Sequence, residues 1–158
     1  MGLKASVITI KSRITILVPD LLRVALVPRR FRLAIATLLC RQAIFDRCDG
    51  EVEIISSKSN FNEFRNNVFY KSEGSLVTRH GNYCLVDGNY FIGDENSENI
   101  GGVRLIGTGH WVTNNYFYQL KGQAFRSPLA VMNGIPKSPL NRYIQVTDVV
   151  VAYNSWIN

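Results

Sequence analysis

The sequence lacks the long apolar runs and the cysteine patterns that identify several common classes of protein. No apolar run reaches the roughly 18 residues that a membrane-spanning helix needs, which excludes such a helix and leaves no reason to expect a membrane partner. The three cysteines, Cys40, Cys48 and Cys84, are odd in number and contain no Cys-x-x-Cys pair. We therefore predict neither a zinc site nor a disulfide framework, but buried thiols that act as small hydrophobic groups.

Residues 1–41 lack the residue types that are common in the rest of the chain. They contain no asparagine, one glycine, one aromatic residue (Phe31) and one acidic residue (Asp20), whereas 14 asparagines and 11 of the 12 glycines follow them. Eight basic residues give this segment a net charge of +7, and residues 42–158 carry ten basic and eleven acidic residues, a net charge of −1. This abrupt change predicts a boundary between residues 41 and 42, and the slightly acidic second part is not typical of a nucleic-acid-binding protein.

Three interpretations of residues 1–41 are open. Arg29, Arg30 and Arg32, followed by the mainly apolar stretch 33–39, imitate an export signal, although they lie well inside the chain. A basic helix on a membrane surface is the second interpretation. The third, which we favour, is a non-native segment, disordered or helical, such as a wrong reading frame or the truncated start of a gene. We assign no function to it.

From residue 44 onward a short Asn-x-aromatic unit recurs. The copies are Asn67-Val68-Phe69, Asn89-Tyr90-Phe91, Asn115-Tyr116-Phe117 and Asn154-Ser155-Trp156, and Ile44-Phe45 stands where an earlier copy would end. The phenylalanines are 24, 22 and 26 residues apart, and the last step of 39 residues leaves room for a long loop. Short β-rich stretches at 52–56, 76–79 and 103–106 precede three copies, with turn-forming residues between them.

A period in the low twenties with several short strands per repeat is typical of a β-solenoid. A leucine-rich repeat would need a leucine framework, and helical repeats need longer periods, so both are excluded. In a parallel coil, equivalent residues of neighbouring turns lie about 4.8 Å apart. We therefore predict an all-β solenoid of about five coils over residues 42–158, with a hydrogen-bonded asparagine ladder and a stacked aromatic column. Chance recurrence of the unit in an Asn-rich sequence is the alternative.

Two acidic residues stand close together in the most charged stretch, residues 49–58. If this stretch is one strand, Glu51 and Glu53 point to the same face, roughly 7 Å apart. Two carboxylates held that close repel each other unless a cation lies between them, and carboxylate oxygens suit a hard ion such as calcium. An exposed, solvated strand face would explain the same pattern.

Cationic residues recur at intervals of about one coil. Lys58 and Arg79 are 21 residues apart, and His80, Arg104 and Arg126 follow along the chain. A solenoid would bring these side chains to one edge beside the paired glutamates, and such a strip suits a polyanionic ligand. A network of ion pairs on the surface is the alternative interpretation.

Residues 44–158 resemble polysaccharide lyase family 6, the alginate lyase and chondroitinase B family. The stretches that carry the resemblance are CDGEVEIISSKS (48–59), SEGSLVTRHGNYCLVDGNYF (72–91), GGVRLIGTGHWVTNNYF (101–117) and AFRSPLAVMNGIPKSPLNRY (124–143). The resemblance implies a right-handed, single-stranded parallel β-helix in a periplasmic or secreted protein. It also implies calcium-assisted β-elimination of an anionic, uronate-containing polysaccharide, which yields a product with a 4,5-unsaturated uronate at its new end.

The resemblance also implies a role for each charged residue. Glu51 and Glu53 match calcium ligands, and the ion would neutralise the uronate carboxylate. Lys58 matches the general base, for which it must be a neutral amine. Arg79 matches the residue assigned as acid; because a guanidinium holds its protons firmly, we expect it to stabilise charge while water delivers the proton.

Three further residues, His80, Arg104 and Arg126, match positions that bind the substrate in the family. The third calcium ligand in the family is an asparagine on the coil before Glu51. That coil would fall within residues 1–41, where asparagine is absent. We expect an alginate lyase, with a chondroitinase B-type lyase acting on dermatan sulfate, or an inactive fragment that only binds anionic glycans, as the alternatives.

Overall fold

The computed structural model describes residues 38–139 and 142–158, together with two short strands at 9–10 and 23–24. The three interpretations of residues 1–41 therefore concern a segment that lies mostly outside the described residues. The described part is built from short strands in three sheets, with one 3-10 helix at Ala124–Arg126. No helix among these residues has the length and apolar character that crossing a membrane requires.

Each sheet contains strands that lie one coil apart in the sequence. Sheet A is formed by β1 (Thr9–Ile10), β5 (Glu53–Ser56), β8 (Gly74–Val77), β11 (Ile100–Leu105) and β14 (Leu129–Val131). Sheet B is formed by β4 (Ile44–Asp46), β7 (Val68–Tyr70), β10 (Tyr90–Ile92), β13 (Tyr116–Tyr118) and β16 (Ser155–Ile157). Sheet C is formed by β2 (Arg23–Val24), β3 (Leu38–Arg41), β6 (Glu63–Arg65), β9 (Leu85–Asp87), β12 (Trp111–Thr113) and β15 (Val150–Ala152).

From β3 onward the chain visits sheets C, B and A in turn, and every pairing between successive coils is parallel. The result is a β-solenoid of about four turns, which confirms the predicted parallel β-helix. At its first edge, β1 pairs with β5 and β2 pairs with β3, both antiparallel. Because β3 pairs in parallel with β6, the solenoid includes Leu38–Arg41, before the change in composition at residue 41.

The predicted aromatic column fills the interior behind sheet B. Successive rings are stacked with centroids 4.0 to 4.9 Å apart and planes within 5° of parallel, in the order Phe45, Phe69, Phe91, Phe117 and Trp156. The four phenylalanines belong to one continuous hydrophobic core, whereas Trp156, which is 47% exposed, covers the end of the column.

The predicted asparagine ladder is also confirmed. Each Nδ2 donates a hydrogen bond to the Oδ1 of the next asparagine, from Asn67 to Asn89 (2.9 Å), Asn89 to Asn115 (2.9 Å) and Asn115 to Asn154 (3.0 Å). The residue before each asparagine has a positive φ, as Gly88 does at 66°, so the chain turns sharply between sheets C and B. The buried amides thus satisfy one another at a corner where the backbone leaves the sheet.

The cysteines are buried and free, as predicted. Burial raises the pKa of the Cys40 thiol to about 11, and burial likewise raises the pKa of Cys84. Such thiols stay protonated at neutral pH and act as packing groups.

Candidate active site

The outer face of sheet A is covered, although solenoid sheets usually face solvent on that side. Leu76 and Leu105 belong to the interior hydrophobic cluster, so strand alternation turns their neighbours Val77, Arg104 and Ile106 outward. Those three side chains are nevertheless buried, and Val77 and Ile106 are completely inaccessible. Side chains from other parts of the chain therefore lie over this face.

Arg79 lies at the end of this face and makes three contacts with two partners, Glu53 and Tyr143. Its Nη1 donates a hydrogen bond to Oε1 of Glu53 at 2.9 Å, and a longer one of 3.5 Å to the hydroxyl oxygen of Tyr143. The guanidinium carbon also lies 5.4 Å from the centre of the Tyr143 ring, within the range of a cation–π contact. Residues from three separate coils thus meet at one guanidinium.

Arg104 and Arg126 continue the arrangement along the sheet. Nη2 of Arg104 donates to the Tyr143 hydroxyl at 3.2 Å, and its guanidinium lies 5.5 Å from the Tyr143 ring and 5.1 Å from the ring of Phe125. Arg126 lies 5.1 Å from the same Phe125 ring. We call this series, Arg79–Tyr143–Arg104–Phe125–Arg126, the arginine row. Each aromatic ring separates two cations and attracts both, which offsets the repulsion between them.

Several polar atoms at this face are buried without a hydrogen-bond partner. Among the described residues, the buried side-chain atoms that lack a partner are Oγ of Ser56, Oγ of Ser75, Nε2 of His80, Nε of Arg104 and Nε of Arg126. Because buried polar groups are nearly always hydrogen-bonded, such a group of atoms marks a place where a polar ligand or water binds. The two arginine atoms are donors and suit an anionic ligand.

Lys58 lies on the coil next to the one that carries Arg79 and His80. It directly follows Ser57, whose N–H donates to Val77 O at 2.8 Å and whose carbonyl accepts from the His80 N–H at 3.2 Å. These backbone bonds continue the pairing of β5 with β8 beyond the ends of both strands. The Lys58 side chain is exposed at this edge.

The structure places Glu51 differently from the prediction. Strand β5 covers only Glu53–Ser56 and not residues 49–58, and Glu51 lies in an exposed bend that follows Gly50 (φ +103°). The pairing of β5 with β8 also shifts between Glu53 and Ile55. Strand alternation therefore does not bring Glu51 to the same face as Glu53, and the expectation of a single strand was wrong.

The described residues do not make a complete calcium site. No group of three or more Asp, Glu, His or Cys side chains suited to a metal occurs in the described part of the chain. The Glu53 carboxylate already forms an ion pair with Arg79, and the segment expected to supply the third ligand lies largely outside the described residues. The assignment of Glu51 and Glu53 as calcium ligands stays a prediction.

The sequence indicated the cations of this site but not the two aromatic residues between them. The spacing of about one coil predicts Lys58, Arg79 and Arg104. Tyr143 and Phe125 lie outside the repeating unit, so periodicity gives no reason to select them. The only signal was the 39-residue step between Phe117 and Trp156, which predicts a long loop but not the direction in which it folds.

Comparison with known proteins places this geometry in a family. The chondroitinase B family model matches residues 28–158. A family 6 alginate lyase, AlyGC, is 48% identical over 70% of this chain, with a TM-score of 0.67. A mannuronic-acid-specific family 6 lyase from the human gut microbiota is 39% identical over 73% of the chain, with a TM-score of 0.66. A family 6 lyase from Pseudopedobacter saltans is 27% identical over 75%, with a TM-score of 0.56.

The chain spans only part of the length of these proteins: 15% of AlyGC, 27% of the gut enzyme and 33% of the Pseudopedobacter enzyme. A search of curated proteins gave no match. The family model nevertheless covers most of the chain, and the parallel solenoid agrees with it. The chain belongs to the chondroitinase B family, that is, polysaccharide lyase family 6.

Proposed function

We propose that this chain carries the catalytic coils of a polysaccharide lyase that cleaves alginate by β-elimination. The observation that carries the proposal is the arginine row, with buried and unpartnered nitrogen atoms of Arg104, Arg126 and His80 beside the Arg79–Glu53 pair. Alginate as the substrate is supported by the relatives, since AlyGC is an alginate lyase and the gut enzyme is specific for mannuronic acid.

The arginine row suits a chain of uronate units. A guanidinium donates two parallel hydrogen bonds to a carboxylate, and the buried Nε atoms of Arg104 and Arg126, which have no partner among the described residues, become donors for that purpose when a ligand displaces the side chains that cover them. Because these residues come from successive coils, they can contact successive sugars along the solenoid axis. His80 offers a further ring nitrogen to a sugar hydroxyl or carboxylate.

The chemical step is an elimination in which Lys58 and Arg79 have separate roles. Lys58, as a neutral amine, takes the proton from C5 of the uronate. The electron pair of that bond forms the C4=C5 double bond, the C4–O4 bond breaks, and O4 receives a proton from water. Arg79 stays charged and stabilises the negative charge that develops during the step, while Glu53 holds its guanidinium in place.

Calcium dependence is a separate part of the proposal. Glu51 and Glu53 supply two carboxylates of the kind that calcium prefers, and the family's third ligand, an asparagine, is expected on the coil before Glu51. When bound, such an ion would neutralise the substrate carboxylate and so make the C5 proton more acidic.

The experiment that tests the proposal follows the ultraviolet absorbance of the conjugated double bond while the full chain acts on alginate. We expect an absorbance rise that Lys58→Ala abolishes, while Lys121→Ala, which removes an exposed lysine outside the site, leaves it unchanged. A chelator tests the calcium proposal separately. Turnover of dermatan sulfate but not of alginate would favour the chondroitinase B-type alternative, which the family model supports. Binding of alginate without any absorbance rise would favour the alternative of an inactive fragment that only binds glycans.

A further inference from the structure

The connection between β14 and β15 is unlike its counterparts. The connections from sheet A to sheet C have five to seven residues in the three preceding coils, 57–62, 78–84 and 106–110, whereas this one has 18, residues 132–149. Its described part folds back on itself, since the Ile135 N–H donates to Tyr143 O at 3.0 Å. Its far end is tied to the neighbouring coil by a 2.7 Å hydrogen bond between the hydroxyls of Thr108 and Thr147.

This connection brings Tyr143 between two arginines that belong to earlier coils. Val77 pairs with Arg104 in the sheet, and Arg79 follows two residues after Val77. The two guanidinium groups are therefore close neighbours, and without an intervening group they would repel each other. The Tyr143 hydroxyl accepts a hydrogen bond from each, at 3.5 Å from Arg79 and 3.2 Å from Arg104.

The hydrogen bonds that the Tyr143 hydroxyl already makes determine which hydrogen bond it can still make to a ligand. A hydroxyl group has two acceptor lone pairs and one donor hydrogen. The two arginines occupy both lone pairs, so the hydroxyl hydrogen stays free to donate. The ring face contacts both cations at 5.4 and 5.5 Å, which fixes their distance from each other.

We infer that Tyr143 is a positioning residue that fixes Arg79 and Arg104 as a paired carboxylate-binding site and adds its own O–H as a donor. The inference rests on the proposed function for the identity of the ligand. It places a determinant of uronate affinity in the long connection, outside the repeating coils. Arg79 and Arg104 contact the ligand, and Tyr143 acts mainly through them.

The test compares Tyr143→Phe and Tyr143→Leu with the control Tyr153→Phe, all in a Lys58→Ala background so that the ligand is not cleaved. Tyr153 is 86% exposed and lies outside the arginine row. The probe is a purified mannuronate tetrasaccharide, titrated calorimetrically against the full chain. We expect affinity to fall about tenfold in Tyr143→Phe, which loses the hydroxyl but keeps the ring, and about a further fivefold in Tyr143→Leu. Tyr153→Phe should stay within about twofold of the parent.

A second measurement is independent of the ligand. The Nε–H signals of Arg79 and Arg104 in ¹⁵N spectra, assigned with Arg79→Lys and Arg104→Lys, should shift in Tyr143→Phe and move towards the averaged position of free arginine in Tyr143→Leu. Affinity within about twofold of the parent in both variants, with unchanged arginine signals, would overturn the inference. If the parent chain binds no oligouronate, the proposed function fails, and the arginine signals alone then decide on Tyr143. Because Tyr143→Phe is nearly isosteric, this variant tests the role of the Tyr143 hydroxyl even if Tyr143→Leu does not fold.

Discussion

At the scale of single residues, the site depends on the shape of its cations as well as on their charge. Arg104 uses Nη2 to bind Tyr143, stacks against two rings and keeps Nε free. A lysine has the same charge but no planar group that could make these contacts together. Replacing the guanidinium by an ammonium therefore tests the geometry separately from the electrostatics.

We expect Arg104→Lys to weaken oligouronate binding about tenfold, equivalent to about 1.4 kcal/mol. Calorimetric titration of the Lys58→Ala chain checks this, with Arg47→Lys as the matched control at an exposed position in another turn. Equal affinities for the two variants would mean that Arg104 contributes charge alone.

His110 provides a residue-scale prediction about pH. The ring is buried, its Nδ1 accepts from the Cys84 N–H at 3.2 Å and its Nε2 lies 3.0 Å from Ile106 O, so the neutral ring with hydrogen on Nε2 satisfies both bonds. Burial lowers the pKa of His110 below its usual 6.5. The unfolded chain takes up a proton as the pH falls through that value, while the folded chain does so only at lower pH.

As the pH is lowered from about 6.5, the free energy of unfolding should therefore decrease by up to about 1.4 kcal/mol per pH unit. The decrease should stop once the pKa of the folded state is reached. Urea unfolding of the parent chain and of His110→Asn, which keeps an acceptor near Nδ1, isolates this contribution. His80, the only other histidine, is common to both proteins. A parallel pH dependence of the two proteins would contradict the assignment.

At the scale of the elements, the buried members of the asparagine ladder carry hydrogen bonds that water does not replace. The Asn89 Oδ1 accepts from the N–H and Nδ2 of Asn67, and its Nδ2 donates to Phe64 O and to Asn115. All of these groups are buried. Asn154, at the end of the ladder, is partly exposed, so water can replace its partners.

We expect Asn89→Ala to lower the free energy of unfolding by about 3 kcal/mol and Asn154→Ala by about 1 kcal/mol, because water can reach the groups of Asn115 and Val112 that lose a partner at the partly exposed Asn154 but not those around Asn89. Urea unfolding monitored by circular dichroism measures both. Equal losses would show that the position in the ladder has no effect.

The ladder and the aromatic column could be predicted from the sequence because both follow directly from the repeat. A residue that recurs once per coil lies next to its own copy in the next coil. The repeat alone therefore predicts the contacts of Asn89 and Phe91. The position of Glu51 could not be predicted, because a bend after Gly50 delays the start of the strand to Glu53. The contacts of Tyr143 could not be predicted either, since a long connection can fold over any face of the solenoid.

At the scale of the whole molecule, charge is distributed unevenly. Residues 42–158 carry a net charge of −1, yet they contain the arginine row. The proposed polyanionic substrate would therefore be attracted by a local cluster of cations and not by the net charge of this part. Attraction of that kind is weakened by salt, whereas the stacking of rings and the hydrogen bonds of the core are affected much less.

Raising sodium chloride from about 50 to about 500 mM should weaken tetrasaccharide binding by about tenfold or more, because the Debye length shortens from about 14 to about 4 Å. Calorimetric titration of the Lys58→Ala chain at each salt concentration measures the change. The melting temperature of the free chain serves as the control and should change little. Affinity that is independent of salt would indicate a binding mode without ionic contacts.

The long connection also changes how the solenoid holds together. In most such folds each turn touches only the one above and the one below, so damage at one end stays local. Here Tyr143, in the connection that follows β14, contacts Arg79 two turns earlier. If the turn that follows β14 frays, the proposed uronate site should accordingly be lost while the central layers are still intact, so loss of binding should serve as an early sign of partial unfolding.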